Sequence, residues 1–414
     1  MSKRLLIIFI TLTGLEFFNF MFLGESFIKL FQVVGVGLLC GIILIQILYK
    51  EEDYFPKYFS WPVLLIFIGL FLSMFMAEIG HGQPLQITLI SQRFMYYYLA
   101  YLALHSLKPS IEDIEKLVLA LGLTFAILYL IQFAVYPTIL YDVRIVEDRG
   151  TVRIFMAGFH FLILAYFMTL SKIFSNFSPI RLIYLLLFAS IFILMGTRQI
   201  IFSMMLLTIL FVLFSDVVKS RVLVFVLMII AFIPVFVLFQ EIFISLVDLS
   251  KSQSESFSEN VRIRAALFFM TDFFPNKAAY ITGNGADSAN SHFGYLVQMY
   301  KDVYGFYQSD IGLIGDYSKF GAVFIIGVFF ILAKIIFGKM SSQYAYIKYF
   351  FFSIILTIFT GGGPFAQSDA IMVICMIMYL LDVDRYDRQV EEHEELQTTF
   401  EEEKQIAIST THNL

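Results

Sequence analysis

The sequence predicts an all-α polytopic membrane protein with about twelve transmembrane helices and a long, late extracytoplasmic loop containing short helices. Three observations carry that expectation. The 414 residues are 59% hydrophobic and only 15% charged, apolar runs of spanning length recur along most of the chain, and one intervening segment is long enough to hold structure of its own. A chain this apolar cannot hide its side chains in soluble cores, so a bilayer has to be its solvent. The 49 Phe and 23 Tyr then mostly build lipid-facing and interfacial surface. Cys40 and Cys375 lie in apolar runs without metal-ligand spacing, which argues against a disulfide or a zinc site. A net charge of −5, with the acidic residues concentrated near the end of the chain, gives no support to nucleic-acid binding.

The apolar runs fall at roughly 5 to 23, 30 to 49, 61 to 79, 86 to 105, 117 to 136, 154 to 171, 182 to 197, 199 to 215, 222 to 245, 311 to 333, 347 to 361 and 368 to 381. The first follows Lys3 and Arg4 as a signal peptide would, but it lacks a small-residue cleavage site and contains Glu16, so it reads as a retained helix. Residues 1–245 thus carry nine spans, 246–310 the long loop, 311–381 three more spans, and 382–414 an acidic tail. With the N-terminus inside, alternate loops receive Lys50, Lys57, Lys108, Lys116, Lys172 and Arg181, and later Lys219, Arg221, Lys334, Lys339 and Lys348. That asymmetry satisfies the positive-inside rule and puts both termini in the cytoplasm. No internal repeat is visible, which weakens a transporter built from two related halves.

Two outer segments are more than turns. One is 137 to 153, and the other is 246 to 310, where Ser256 and Glu259 form a capping box for a helix at about 257 to 274. Pro275 and Gly283-Asn284-Gly285 then break the pattern.

The basic residues of the outer face are mainly Arg144, Arg149, Arg153, Arg198, Arg262 and Arg264, whereas the inner loops hold mostly Lys. Orientation needs only positive charge. A planar guanidinium with five donors is preferred where phosphate oxygens are gripped in fixed geometry, so outer arginines point to an anionic, lipid-linked substrate. The competing role is pairing with Glu147, Asp148 and Glu259 or with lipid headgroups. Arg198 sits between two apolar runs at a tight outer hairpin, where a boundary Arg without a partner is costly. Arg93 is deeper, roughly 10 Å into the fourth span at helical rise, with Tyr96 and Tyr97 on its face, and both cavity lining and structural ion pairing stay open for it. Arg262 and Arg264 are two positions apart and point to opposite sides of a helix, so one of them faces a substrate. His292 and Asp310, with Asp287 and Asp316, are the titratable groups of the loop and its return to the membrane, and any of them can take a proton from a sugar hydroxyl.

Several short motifs carry a resemblance. Gly196-Thr197-Arg198-Gln199 lies at the outer hairpin, and Asp148-Arg149-Gly150-Thr151-Val152-Arg153-Ile154-Phe155 enters the sixth span. Asn260-Val261-Arg262 opens the loop helix, Pro275 precedes Gly283-Asn284-Gly285, and Ser309-Asp310-Ile311-Gly312-Leu313-Ile314 precedes Phe320-Gly321. Together they make the chain resemble the O-antigen polymerase and O-antigen ligase superfamily of undecaprenyl-pyrophosphate-dependent glycosyltransferases. Ligases of that superfamily usually carry a His where the long loop re-enters the membrane. Here that place reads Gln308-Ser309-Asp310, with His292 well upstream, which favours a polymerase.

The resemblance implies block transfer of a glycan from undecaprenyl pyrophosphate to a hydroxyl of another lipid-linked repeat unit, without metal or cofactor. It implies Arg198 and Arg262 at the leaving pyrophosphate, Arg149 and Arg153 at a second lipid pyrophosphate, and Asp310 or His292 at the acceptor. Arg264, Arg93 and Arg144 are further substrate-binding candidates. The implied partners are undecaprenyl-pyrophosphate-linked glycans, membrane lipids and a chain-length regulator protein, in the cytoplasmic membrane of a bacterium. A ligase acting on lipid A-core and a flippase of lipid-linked sugar are the rival readings. The acidic tail, with Glu391, Glu392, Glu394 and Glu395, reads as a solvated and partly helical segment.

Overall fold

The computed structural model describes residues 3–49, 57–148, 151–222, 240, 244, 260–359 and 363–412. Within them the apolar runs form helices α1 (Lys3–Gly14), α2 (Glu25–Tyr49), α3 (Ser60–His81), α4 (Leu85–Ser91), α5 (Leu99–Leu107), α6 (Ile111–Val135), α7 (Phe159–Ser175), α8 (Pro179–Leu194) and α9 (Arg198–Phe214). The late part of the chain adds α10 (Val261–Thr271), α11 (Ala279–Thr282), α12 (His292–Tyr304), α13 (Leu313–Phe337), α14 (Ala345–Thr357) and α15 (Ser368–His412). Four of these, α2, α3, α6 and α13, are long and apolar enough to cross a membrane, and α7, α8 and α9 are apolar but shorter. This is consistent with a helical membrane protein. The ninth apolar run, 222 to 245, falls almost wholly outside the described residues.

Helix α7 is the centre of the bundle. Every residue from His160 to Ser171 is buried, as befits a helix that is apolar all round, and α6, α8, α14 and α15 pack against it. One end of the bundle is tied by ion pairs, Arg4 to Asp113 at 2.9 Å and Lys172 to Glu115 at 2.6 Å.

Three predicted spans are interrupted. The run from 5 to 23 is a helix only as far as Gly14, after which Glu16, Phe17, Phe18 and Asn19 all take positive φ of 49° to 57°. Tertiary pairing holds that costly run in place: the Asp142 N–H donates to the Asn19 carbonyl at 2.8 Å, and Phe20 bridges Tyr141. The run from 86 to 105 is divided by a 3-10 stretch, Arg93–Tyr98, between α4 and α5. Arg93 and Tyr97 accordingly turn to different partners, Gln32 and Thr13. The third break is in α13, where Gly321 adopts φ 75° and ψ −178°.

The segment at 137 to 153 departs from the all-α expectation. Arg144–Asp148 (β1) and Thr151–Phe155 (β2) form an antiparallel hairpin, with Arg144 opposite Phe155 and Val146 opposite Arg153. The signal is present in retrospect, because β-branched residues flank Arg149-Gly150 on both sides. At the other end of the chain, the last apolar run and the acidic tail form one continuous helix, α15, since no Gly or Pro interrupts residues 368–412.

The late loop has its own small core, formed by Ala265, Phe269, Phe273, Phe293, Val297, Phe306 and Ile311. Helix α10 is capped by the Asn260 side chain, which accepts from the Arg262 N–H at 3.0 Å. Ser256 and Glu259, the expected capping box, lie outside the described residues. The loop docks on the bundle where α13 breaks. Gly285 N–H donates to the Lys319 carbonyl at 2.7 Å, and Asn284 donates to the Ser318 carbonyl through its backbone at 3.1 Å and its side chain at 2.9 Å. Asn284 Oδ1 also lies 2.9 Å from His81 Nε2 on α3, and the His81 ring stacks on Phe293. Gly283 and Gly321 touch, each at positive φ, and a Cβ on either would come within 2.3 Å of the other segment's backbone. Gly283→Ala or Gly321→Ala is therefore expected to lower stability by at least the 1–3 kcal/mol or so that backbone strain alone carries. Gly37→Ala on α2, where a Cβ meets nothing within 4 Å, should be neutral or mildly stabilising. Melting temperatures of the three variants in detergent, read as loss of the monodisperse peak after heating, check this.

Candidate active site

A cavity of about 1330 Å³ opens at the end of the bundle where α7, α9, α10 and α15 begin. That exceeds the 300–1,000 Å³ or so typical of small-molecule sites and suits a large or composite ligand. Its charged lining is balanced in formal count. The cations are Arg144, Arg153, Arg198 and Arg262, and the anions are Glu16, Asp142, Asp310 and Asp369.

The hairpin delivers the first two arginines. Its register puts Arg144, Arg153 and Phe155 on one face, and both guanidinium groups lie over the Phe155 ring, at 5.7 Å and 4.9 Å from its centroid. Such stacking orients a guanidinium without occupying its in-plane donors. The opposite hairpin face carries Ile154, buried in the core. Arg153 also donates through Nε to the Met195 carbonyl at 3.3 Å and through Nη2 to Thr197 Oγ1 at 3.2 Å. Thr151 donates to the Leu194 carbonyl at 2.7 Å, and its methyl lies where a Cβ on Gly196 would stand. The strand β2 and the α8–α9 turn are thereby clamped together, and Arg198 follows as the first residue of α9.

Arg262 and Asp310 line this cavity and also a smaller one of about 370 Å³ together with Asn260, Gly305 and Tyr307. Asp310 sits in a 3-10 turn, Gln308–Ile311, at the foot of α13. Arg264 lines neither cavity, and its guanidinium lies 5.8 Å from the Phe306 ring centroid. His292 is the exposed first residue of α12 and is absent from the lining of both, as are Asp287 and the buried Asp316. Arg149 lies outside the described residues.

Arg93 does not line the cavity but is connected to it. Its Nε donates to Gln32 Oε1 at 2.6 Å, and Gln32 Nε2 donates to Glu16 Oε1 at 2.9 Å. Asn19 donates to the other Glu16 oxygen at 2.7 Å. Arg93 is thus a positioning residue for a lining carboxylate, through a neutral amide and not through a direct ion pair.

One feature of the cavity has no counterpart among the sequence candidates. His160 at the start of α7 and Asp369 at the start of α15 both line it. Asp369 Oδ2 receives His160 Nδ1 at 3.0 Å, the Gly158 N–H at 3.1 Å and the His160 N–H at 3.4 Å. The available signal was an ionisable residue inside each of two predicted spans, which marks a functional candidate whether the residue is basic or acidic. Their 209-residue separation hides the pairing.

Neither a scan against protein-family models nor a search of curated proteins matched the chain.

Replacing Arg93 by Ala leaves the Gln32 amide without its donor and is expected to lower stability by about 1–3 kcal/mol. A double-mutant cycle with Glu16→Gln, read by chemical denaturation in detergent, should give non-additive losses, because both residues act through Gln32. Simple additivity would show that the chain of contacts transmits nothing.

Proposed function

We propose that this protein is a polysaccharide polymerase of the cytoplasmic membrane of a bacterium, transferring a glycan from undecaprenyl pyrophosphate to a hydroxyl of another lipid-linked repeat unit. The observation that carries the reading is that Arg144, Arg153, Arg198 and Arg262, drawn from three separated parts of the sequence, line one cavity with Asp310. About twelve spans, inward termini and an outward-opening cavity complete the proposal, supported by the apolar runs and the lysine-rich alternate loops.

In this reading, charge develops on the bridging oxygen of the pyrophosphate as the glycosidic bond breaks. Arg198 and Arg262 stabilise that charge and lower the barrier. Arg144 and Arg153, stacked on Phe155, hold the pyrophosphate of the second lipid, and a cavity of about 1330 Å³ has room for both headgroups. Asp310, beside Arg262 on the lining shared with the smaller cavity, orients the acceptor. His292 and Arg264 leave the proposal because they lie outside the cavity lining, and Arg93 supports Glu16.

The test is extension of radiolabelled undecaprenyl-pyrophosphate-linked repeat units by purified protein in proteoliposomes, with substrate confined to the outer leaflet. Wild-type protein lengthens the glycan, Arg198→Ala and Arg262→Ala reduce the rate by about 10²–10³-fold, and Arg264→Ala has a much smaller effect. Transbilayer movement of the lipid without lengthening would point to a flippase. Transfer to lipid A-core alone would point to a ligase.

A further inference from the structure

The acceptor hydroxyl needs a proton acceptor, and the arginine-bearing wall is poorly suited to supply one. The cavity lining also holds an imidazole that is already oriented. An Asp369 oxygen that takes two backbone N–H groups is an acceptor, so the His160 Nδ1 it faces carries the proton and donates it. The remaining ring nitrogen, Nε2, then bears the lone pair. Both side chains are largely sheltered, at 11% and 8% relative exposure, yet both residues line the cavity. A histidine fixed in one tautomer by a carboxylate on its far nitrogen is oriented for proton abstraction, and the imidazolium it becomes is stabilised by that carboxylate.

We infer that His160 is the general base of glycan transfer, with Asp369 as its positioning residue. This rests on the transferase reading given above. The acceptor O–H gives its proton to His160 Nε2, the acceptor oxygen forms a bond to the anomeric carbon of the donor, and the bond from that carbon to the pyrophosphate oxygen breaks. The electron pair leaves with undecaprenyl pyrophosphate, and the imidazolium afterwards returns the proton to water. Besides Asp369, the ionisable groups that line the cavity around His160 are Glu16, Asp142, Asp310 and the four arginines. Of the carboxylates, Glu16 already accepts from Asn19 and Gln32, and Asp310 lies beside Arg262 on the lining of the second cavity.

Two variants separate chemistry from scaffolding. His160→Asn keeps a side-chain N–H at the position of Nδ1, and with it the link to Asp369, but has no group at Nε2. His160→Ala opens a space that free imidazole can fill. In the proteoliposome extension assay, His160→Asn is expected to keep the wild-type melting temperature and KM and to lose about 10²–10⁴-fold in kcat. Imidazole added to His160→Ala should restore part of the rate, whereas it should do nothing for Arg198→Ala. Wild-type turnover in a folded His160→Asn, or absence of imidazole rescue in a folded His160→Ala, would overturn the inference while leaving the transferase reading intact. A wild-type protein that extends no glycan would overturn both.

Discussion

A backbone carbonyl released inside an apolar bundle must find a donor or water, and that requirement organises this molecule. Three helical runs break, and none of the breaks is left to lipid. The turn's Asn19 carbonyl accepts from the Asp142 N–H, the following Met21 N–H donates to the Leu140 carbonyl, and Glu16 and Asn19 line the cavity. The Arg93–Tyr98 stretch contributes Phe94 to the same lining. The Ser318 and Lys319 carbonyls at the α13 break are taken by Asn284 and Gly285, which docks the whole late loop. Irregular backbone therefore coincides with the cavity and with the element that carries Arg262 and Asp310.

That coincidence explains how residues from distant parts of the chain meet. The hairpin is fixed to the α8–α9 turn through Thr151 and Arg153. The late loop is fixed through two glycines that must touch. Helices α7 and α15 are fixed through Asp369 Oδ2. The hairpin and Asp369 clamps each join side-chain polar groups to backbone groups, so assembling the cavity also satisfies backbone there.

Four spans were legible because length and apolarity decide them: the runs at 30 to 49, 61 to 79, 117 to 136 and 311 to 333 correspond to α2, α3, α6 and α13, the last with its break at Gly321. The breaks at 16–19 and 93–98 were not, because neither contains Gly or Pro and their partners lie far away in sequence. At the site, residue type drew attention to Arg144, Arg153, Arg198 and Arg262, all of which line one cavity. The same criterion passed over His160 and Asp369, since a weak acid and a weak base in separate apolar runs carry no motif until the fold brings them to 3.0 Å. It also kept His292, whose position at the start of a loop helix is exposed.

The formal balance of four arginines against four carboxylates leaves the cavity lining without a formal charge excess. The two sets differ in how they are held. Glu16 has both oxygens engaged by Gln32 and Asn19, and one Asp369 oxygen takes three donors. A carboxylate occupied in this way presents less negative potential to the cavity than a bare one, because neighbouring dipoles point their positive ends at it. The guanidinium groups of Arg144 and Arg153, by contrast, lie over the Phe155 ring, and Arg153 also donates to the Met195 carbonyl and Thr197, so the hairpin fixes where these two positive charges sit. The cavity is thus built with two of its four carboxylates engaged by neighbouring donors and two of its arginines held by the hairpin over one aromatic ring.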